Sequence, residues 1–359
     1  MPASADQADL TLEQGGGSPR PTPAAGFLNE ALHLECAVVV NRGESSDSPE
    51  VSVVVPTRNR NNLLRETLQA LFMQDLPGQA YEVIVVDNAS DDETVDMLRL
   101  AAAASPCVFR VMRFTGDCGP AVARNLGVAL ARGGLVAFTD SDCLPTSGWL
   151  RTCMDKMSPG IGIVQGRTLP DPRVRPRLFS HYIVTTHMDG SFSTSNVCYR
   201  REAIIQVGGF DPGCDYWEDT DLGWRVTRAG WAAVFSGEAL VHHQVLPLSP
   251  FQWLKWPLHS RTMPAKAARY PEFRSHLFLG LWVDWHHTLF DLAVVALILG
   301  ALVHKAWFLL ILPYVVAFPI RRGLGGRWPP LKALLHVAWD TVSFGVLAVS
   351  SLRYRALVL

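Results

Sequence analysis

Short apolar runs alternate with stretches of helical spacing through the first half of the chain. Val51 to Val55 is β-branched and ends at Pro56, so it reads as a buried strand. Asn61 to Gln74 follows, with Leu64, Leu68 and Leu71 at helical spacing. Glu82 to Val86 is a second strand, ending in Asp87. Ser90 or Asp91 caps a helix that carries Val95, Leu98 and Leu100. Val108 to Arg113 is a third strand. Pro120 at its start and Gly133 past its end bracket the next helix, and Leu135 to Thr139 is a fourth strand. Cys36 to Val40 could add one strand ahead of this unit. Strands alternating with helices predict a mainly parallel α/β sheet, in which ligands bind beyond the carboxyl ends of the strands.

The pattern changes after about Val245. Phe251 to Phe278 mixes Trp253, Trp256 and Phe273 with Lys255, Arg261, Lys266, Arg269 and Arg274, the composition of an interfacial stretch. Leu289 to Val303, apart from Asp291, and Ala306 to Ile320, with Pro313 and Pro319 inside, are then apolar, interrupted by His304 and Lys305. Each is about 15 residues, short of the roughly 20 that a full span needs, so a re-entrant hairpin or two extended spans are both open. Leu331 to Leu352 is a third segment, holding Lys332, His336 and Asp340. Arg321, Arg322 and Arg327 place a cytoplasmic face after the second run if it spans. A soluble helical domain with a buried core is the competing reading. The expected organisation is a disordered tail over 1–25, rich in Gly and Pro, a sheet domain over 26–246, an amphipathic linker over 247–287 and membrane-associated helices over 288–359.

Charge and cysteines narrow the class. Lys and Arg number 32 against 33 Asp and Glu, so no global field attracts nucleic acid. The 7 cysteines are scattered, odd in number and without a C-x-x-C, which favours a reducing compartment over a disulfide framework or zinc site. The N-terminus shows no basic-then-apolar leader. No Gly-x-Gly-x-x-Gly and no Gly-Lys-Ser/Thr follows the first strand, which disfavours a dinucleotide dehydrogenase or a phosphate-loop enzyme.

The polar residues gather at the strand ends. Pro56-Thr57-Arg58 follows the first strand, Asp87 the second, and Asp140-Ser141-Asp142 the fourth. Two carboxylates two residues apart are hard oxygen ligands suited to Mg2+ or Mn2+ holding a diphosphate. If the segment is extended, Ser141 points away and Asp140 and Asp142 share a face. Asp87 could accept from a nucleobase or ribose, or merely cap the next helix. Arg124 and Asn125, in the first turns of the Pro120 helix, could help hold an anionic donor. Trp217-Glu218-Asp219-Thr220-Asp221 starts a helix running to about Ala229 and closed by Gly230. Acids there are favoured by the helix dipole alone, which should keep them ionised, yet sugar transfer to a hydroxyl needs a base. Asp219 is the choice for it and Glu218 the runner-up. His242, or its neighbour His243, could complete a metal shell begun by Asp142. Ser193 to Asn196, Arg200 and Arg201 could line an acceptor pocket.

In order and spacing, Val53 to Asn59, Val85 to Ser90, Gly119 to Asn125, Asp140-Ser141-Asp142, Gly208 to Asp211 and Glu218 to Asp221 resemble glycosyltransferase family 2, the inverting class with the GT-A fold. The resemblance covers about Val51 to His243, and mycofactocin-type and rhamnosyl-type members are similar. It implies a nucleotide-sugar donor and a divalent metal, Mg2+ or Mn2+. Asp87 would face the base, Asp140 and Asp142 the ribose, diphosphate and metal, and Asp219 would deprotonate the acceptor. A Gln-x-x-Arg-Trp segment is missing near the C-terminal region, so a single addition is expected rather than processive synthesis. The expected location is the inner (cell) membrane with the catalytic domain on the cytoplasmic side, and the expected acceptor a lipid-linked glycan, a glycolipid or a small molecule. Two other readings stand beside it. A nucleotidyltransferase would need a Gly-rich phosphate loop, and Thr57 to Leu64 has no Gly. A membrane scaffold without turnover would not need Asp140, Asp142 and Asp219 intact.

Overall fold

The computed structural model describes residues 26–43, 48–214, 216–322 and 329–359, without the side chains of 319–322 and 329. The expected tail over 1–25, and Arg321, Arg322 and Arg327 as charged side chains, therefore lie outside what is described. Helix α1 (Gly26–Leu32) and strand β1 (Cys36–Arg42) precede the alternating unit β2 (Val51–Thr57), α2 (Asn61–Phe72), β3 (Tyr81–Asp87), α3 (Thr94–Ala104), β4 (Val108–Phe114), α4 (Gly119–Leu130) and β5 (Leu135–Phe138). There follow β6 (Cys143–Pro145), α5 (Trp149–Lys156), β7 (Ile161–Pro170), β8 (Ser180–His181), β9 (Val197–Arg200), α6 (Arg201–Gln206), α7 (Glu218–Arg228), β10 (Ala232–His243) and β11 (Leu246–Pro247). The tail holds α8 (Pro250–Lys255), α9 (Met263–Arg269), α10 (Trp285–Leu302), α11 (Leu312–Arg322) and α12 (Pro329–Tyr354).

The main sheet has the order β1-β4-β3-β2-β5-β9-β7-β10-β6, with β8 and β11 paired separately. Its centre, β4-β3-β2-β5, is parallel, as the alternation predicts. The β1 and β9 strands join antiparallel, and β9 sits between β5 and β7. Alternating side chains of β2 and β3 feed two cores. Val53, Val55, Val83 and Val85 meet Leu64, Leu68 and Leu71 of α2 on one face. Val54, Ile84 and Val86 meet Ala123 and Leu126 of α4 on the other. Gly127 lets α4 approach this closely, since a Cβ there would come within 2.3 Å of Val54. One expected stripe residue is misplaced: Leu100 is exposed, and Ala102, one turn after Leu98, is buried instead. The chain leaves β2 towards β3 and β4 on one side and returns to β5 on the other. That switch point opens a crevice beyond Thr57 and Thr139.

Residues of α9 and the turn after it pack on α7, and a small core joins Trp217, Ala265, Ala267, Tyr270 and Phe273 to Leu347 and Val358 at the end of the chain. The first apolar helix starts at Trp285 rather than Leu289, because the Asp284 side chain accepts from the His286 and His287 amides and caps it. The second apolar run is a 3-10 turn followed by α11, not one helix. Trp285–Leu302 and Pro330–Tyr354 are long and apolar enough to cross a membrane, and only 33% and 28% of their apolar windows are buried. A soluble core helix would bury most of its surface, so these helices offer their faces to something else. Inside, His286 Nε2 lies 3.2 Å from Asp340 Oδ2, and the Tyr314 hydroxyl donates to the same oxygen at 2.8 Å.

Candidate functional site

At the β2–β5 crevice the carboxylates are buried, Asp140 at 7% and Asp142 at 4% exposure. The segment is not extended. The Cys143 amide donates back to the Asp140 carbonyl at 3.1 Å, so a turn sends the two carboxylates to different partners. Asp140 receives Arg124 Nη2 at 3.0 Å. Asp142 lies 3.6 Å from His243 Nε2 and 3.7 Å from Arg60 Nη1.

The structure brings His243, not His242, to Asp142. Strand parity is the reason: Ala239, Val241 and His243 share the buried face of β10, and His242 points the other way, towards Asp171. The Gln244 amide donates to the Asp142 carbonyl at 2.9 Å and locks β10 to this turn. His243 Nδ1 lies 2.7 Å from the Gln244 carbonyl, which only accepts, so Nδ1 carries the proton and the Nε2 lone pair faces the Asp142 carboxylate. Two acceptors this close need a proton or a cation between them. Asp142, Cys143 and His243 place their ligand-type atoms within 4.8 Å of one another. A carboxylate and an imidazole fit a divalent ion such as Mn2+. Cys143 suits it less, since burial, then Asp142 and Asp140, push its thiol well above the usual range.

On the β3 side of the crevice, Asp87 is fully buried. It accepts from the Ser90 hydroxyl and from the Ser90 amide at 3.2 Å, and Arg113 Nε lies 3.3 Å away. Burial raises its carboxyl above the ordinary value against these partners. Asp87 thus closes a turn rather than capping the next helix: α3 begins at Thr94, not at Ser90 or Asp91, and the Thr94 amide is taken by Asp92 at 2.9 Å. Pro56 is buried within β2, and Thr57 Oγ1 beside it is buried with no hydrogen-bond partner among the described residues, an orphan that a ligand would satisfy. Arg58 pairs with Asp117, which also accepts from Asn88 at 2.5 Å. Ser141 is buried in the turn between the two aspartates. Asn125 serves the fold rather than the crevice: its amide donates to the Phe210 carbonyl and accepts from the Phe210 amide, both at 2.8 Å.

Opposite lies the acid helix. Glu218 Oε1 receives Arg124 Nη1 at 2.6 Å, so one buried guanidinium bridges Asp140 and Glu218. Asp219 is half-buried and accepts from the Thr220 amide at 2.7 Å. Its carboxyl is pushed up to about 7, first by burial and then by Glu218, against the pull of Lys266 and Arg124. The expectation that the helix start keeps it low fails, because desolvation beside a second acid outweighs the dipole. Asp221 is structural: Arg225 and the Tyr270 hydroxyl each reach it at 2.6 Å. The α7 helix is capped by Ala229 and closed by Gly230, whose φ of 98° suits only glycine well. Asn196 and Arg200 are also occupied in the fold. Asn196 bridges Trp149 to the carbonyls of Arg167 and Ala239, and Arg200 donates to the carbonyls of Ile161, Met157 and Ser158.

Sequence reasoning missed Arg60, Asp117 and Lys266. Lys266 enters from α9, 46 positions after Thr220, and donates to the Thr220 hydroxyl at 3.0 Å. Nothing local marks it out among the lysines and arginines around it.

Comparison with known proteins adds to this geometry. The model of the family described as Glycosyl transferase family 2 matches residues 52–210, and that described as Glycosyl transferase family group 2 matches residues 135–320. Glycosyltransferase AglE of Haloferax volcanii is 28% identical over 213 residues, 56% of this chain and 69% of that protein. The pre-mycofactocin glycosyltransferase of Mycobacterium tuberculosis is 32% identical over 229 residues, 58% of this chain but 46% of that protein. Among solved structures, mannosyltransferase PcManGT from Pyrobaculum calidifontis, in complex with GDP-Man and Mn2+, aligns with a TM-score of 0.56 at 20% identity. That alignment covers 91% of this chain and 92% of the other, a likeness of fold.

Proposed function

The chain belongs to glycosyltransferase family 2, and on that premise we propose that it transfers one sugar from a nucleotide-sugar donor to an acceptor hydroxyl, inverting the anomeric carbon. The observation that carries this reading is Arg124, which ties the carboxylate after β5 to the acid helix across the switch-point crevice. Donor-side and acceptor-side carboxylates are thereby held at a fixed separation. The fold likeness to a structure in complex with GDP-Man and Mn2+ supports the donor class and the metal.

Asp142 and His243, with Asp140 nearby, would hold a divalent cation, Mg2+ or Mn2+. When bound, such an ion offsets the charge that develops on the departing diphosphate. The orphaned Thr57 hydroxyl, Arg58 and Asp87 would line the nucleoside end. Asp219 takes the proton of the acceptor hydroxyl as that oxygen bonds to the anomeric carbon. The bond from carbon to the diphosphate oxygen breaks on the opposite face, and the electron pair leaves with the nucleoside diphosphate. A carboxyl poised at about 7 suits a base working near neutrality. Glu218, engaged by Arg124, positions rather than reacts.

The largely uncovered α10 and α12 support work at a membrane, on a lipid-linked glycan, glycolipid or small acceptor. The cysteines among the described residues are free, which agrees with a catalytic domain on the cytoplasmic side of the inner membrane. The stereochemistry can be tested without the acceptor. Proton NMR of sugar freshly released from an α-linked donor is expected to show the β-anomer first; an α-anomer first would overturn inversion.

A further inference from the structure

Lys266 lies outside the sheet domain, yet it is nine-tenths buried against the acid helix. Its ammonium donates to Thr220 Oγ1, and that hydroxyl in turn donates to the Ser191 carbonyl at 2.9 Å. Thr220 also supplies the amide that Asp219 accepts. We infer that Lys266 is a positioning residue for Asp219, and that the segment after the sheet domain completes the catalytic site by carrying this buried cation to it. The inference rests on the reading of Asp219 as the base.

Three observations support it. A lysine ammonium is strongly hydrated and is seldom buried unless its charge is matched. Here burial pulls the ammonium below its ordinary value, and the charges that oppose this are Asp219 of α7, Asp189 of the loop before β9 and Glu218 of α7. Second, among the described residues the charged and titratable groups that act on Asp219 are Glu218 beside it, Arg124 from α4, Tyr199 from β9 and Lys266 from α9. Arg124 is already bonded to Asp140 and Glu218, so among the described residues Lys266 is the cation whose charge is left to act on Asp219. Without it, burial beside Glu218 would raise the carboxyl further and leave it protonated at neutral pH. Third, α9 does not stand alone. Ala265 and Ala267 share a core with Trp217, just ahead of the acid pair, and with Leu347 of the apolar helix α12. The base is thus coupled through packed side chains to the membrane-facing end of the chain.

The test is the pH profile of nucleotide-sugar hydrolysis by the full chain in detergent, using whichever UDP-, GDP- or dTDP-sugar the wild type turns over. Lys266→Gln removes the charge and keeps most of the bulk. Its acidic limb is expected to move up by about one pH unit or more. Lys266→Arg keeps the charge, and its limb is expected to stay with the wild type. A Lys266→Gln protein that loses rate equally at every pH, with its limb unmoved, would overturn the proposal. If Lys266→Gln does not accumulate folded, Lys266→Arg decides alone: a displaced limb there contradicts it, and an unmoved limb supports it. Failure of the base itself shows separately, as turnover surviving in Asp219→Asn.

Discussion

Arg124 and Glu218 stand 94 positions apart in the chain and 2.6 Å apart in space. The same guanidinium holds Asp140 at 3.0 Å, with its side chain 2% exposed. Removing it strands two carboxylates in a buried site. Arg124→Met should therefore cost about 3–5 kcal/mol of stability, against near-neutral values for exposed arginines such as Arg99. Arg124→Lys keeps the charge but not the two-pronged geometry, and is expected to fold yet lose turnover. Chemical denaturation of the purified variants checks both. An Arg124→Met protein as stable as wild type would remove the bridge from the account.

Asp219→Asn should lower turnover by about 10²- to 10⁴-fold while nucleoside diphosphate affinity stays within the error of titration calorimetry. With Asp219 as the proposed base, the wild-type rate should rise with pH through about 7 as its carboxyl loses the proton.

The same carboxyl has a signed effect on stability. Its folded value is raised above the ordinary carboxylate value, so between that value and about 7 the folded protein holds a proton that the unfolded chain has lost. Its contribution to stability then falls as pH rises through this window, and it is unfavourable above it. Asp219→Asn is expected to melt no lower than wild type at pH 8. A clear drop there would mean that the charged form is stabilised in the fold.

His243→Ala should weaken Mn2+ binding at least tenfold (about the smallest loss seen when a metal's supporting groups are removed), and His242→Ala should leave it unchanged. Equilibrium dialysis with Mn2+ alone separates the two. The reverse order would return the ligand to His242.

Much of this site is legible in the sequence. The parallel centre of the sheet can be read because β2 and β3 are short β-branched runs ended by polar residues, and both are buried throughout. Asp140, Asp142, Glu218 and Asp219 stand out because acids at strand ends and helix starts leave a local trace. The choice between His242 and His243 was also readable: Ala239, Val241 and His243 fall at period two, and the apolar face of a buried strand carries its third member with it. What the sequence hides is long-range. The β9 strand is only four residues long and runs antiparallel between β5 and β7; the turn Ser193 to Asn196 ahead of it announces a break but not where the strand pairs. Lys266 sits in a stretch whose mixture of aromatics and cations reads as interfacial, and only packing of α9 on α7 turns one of those cations inward. Asn125 fails in the opposite direction. Its place beside Arg124 suggests the crevice, but the turn at Gly209 and Phe210 takes both ends of its amide.

The measurement that tests the central claim most directly is nucleoside diphosphate release from a panel of UDP-, GDP- and dTDP-sugars, made with the full chain in detergent with Mn2+ or Mg2+. Release is expected from one donor, abolished by EDTA, by Asp142→Ala and by Asp219→Asn. Absence of release from every donor, together with no nucleoside diphosphate binding in the presence of Mn2+, would contradict that claim.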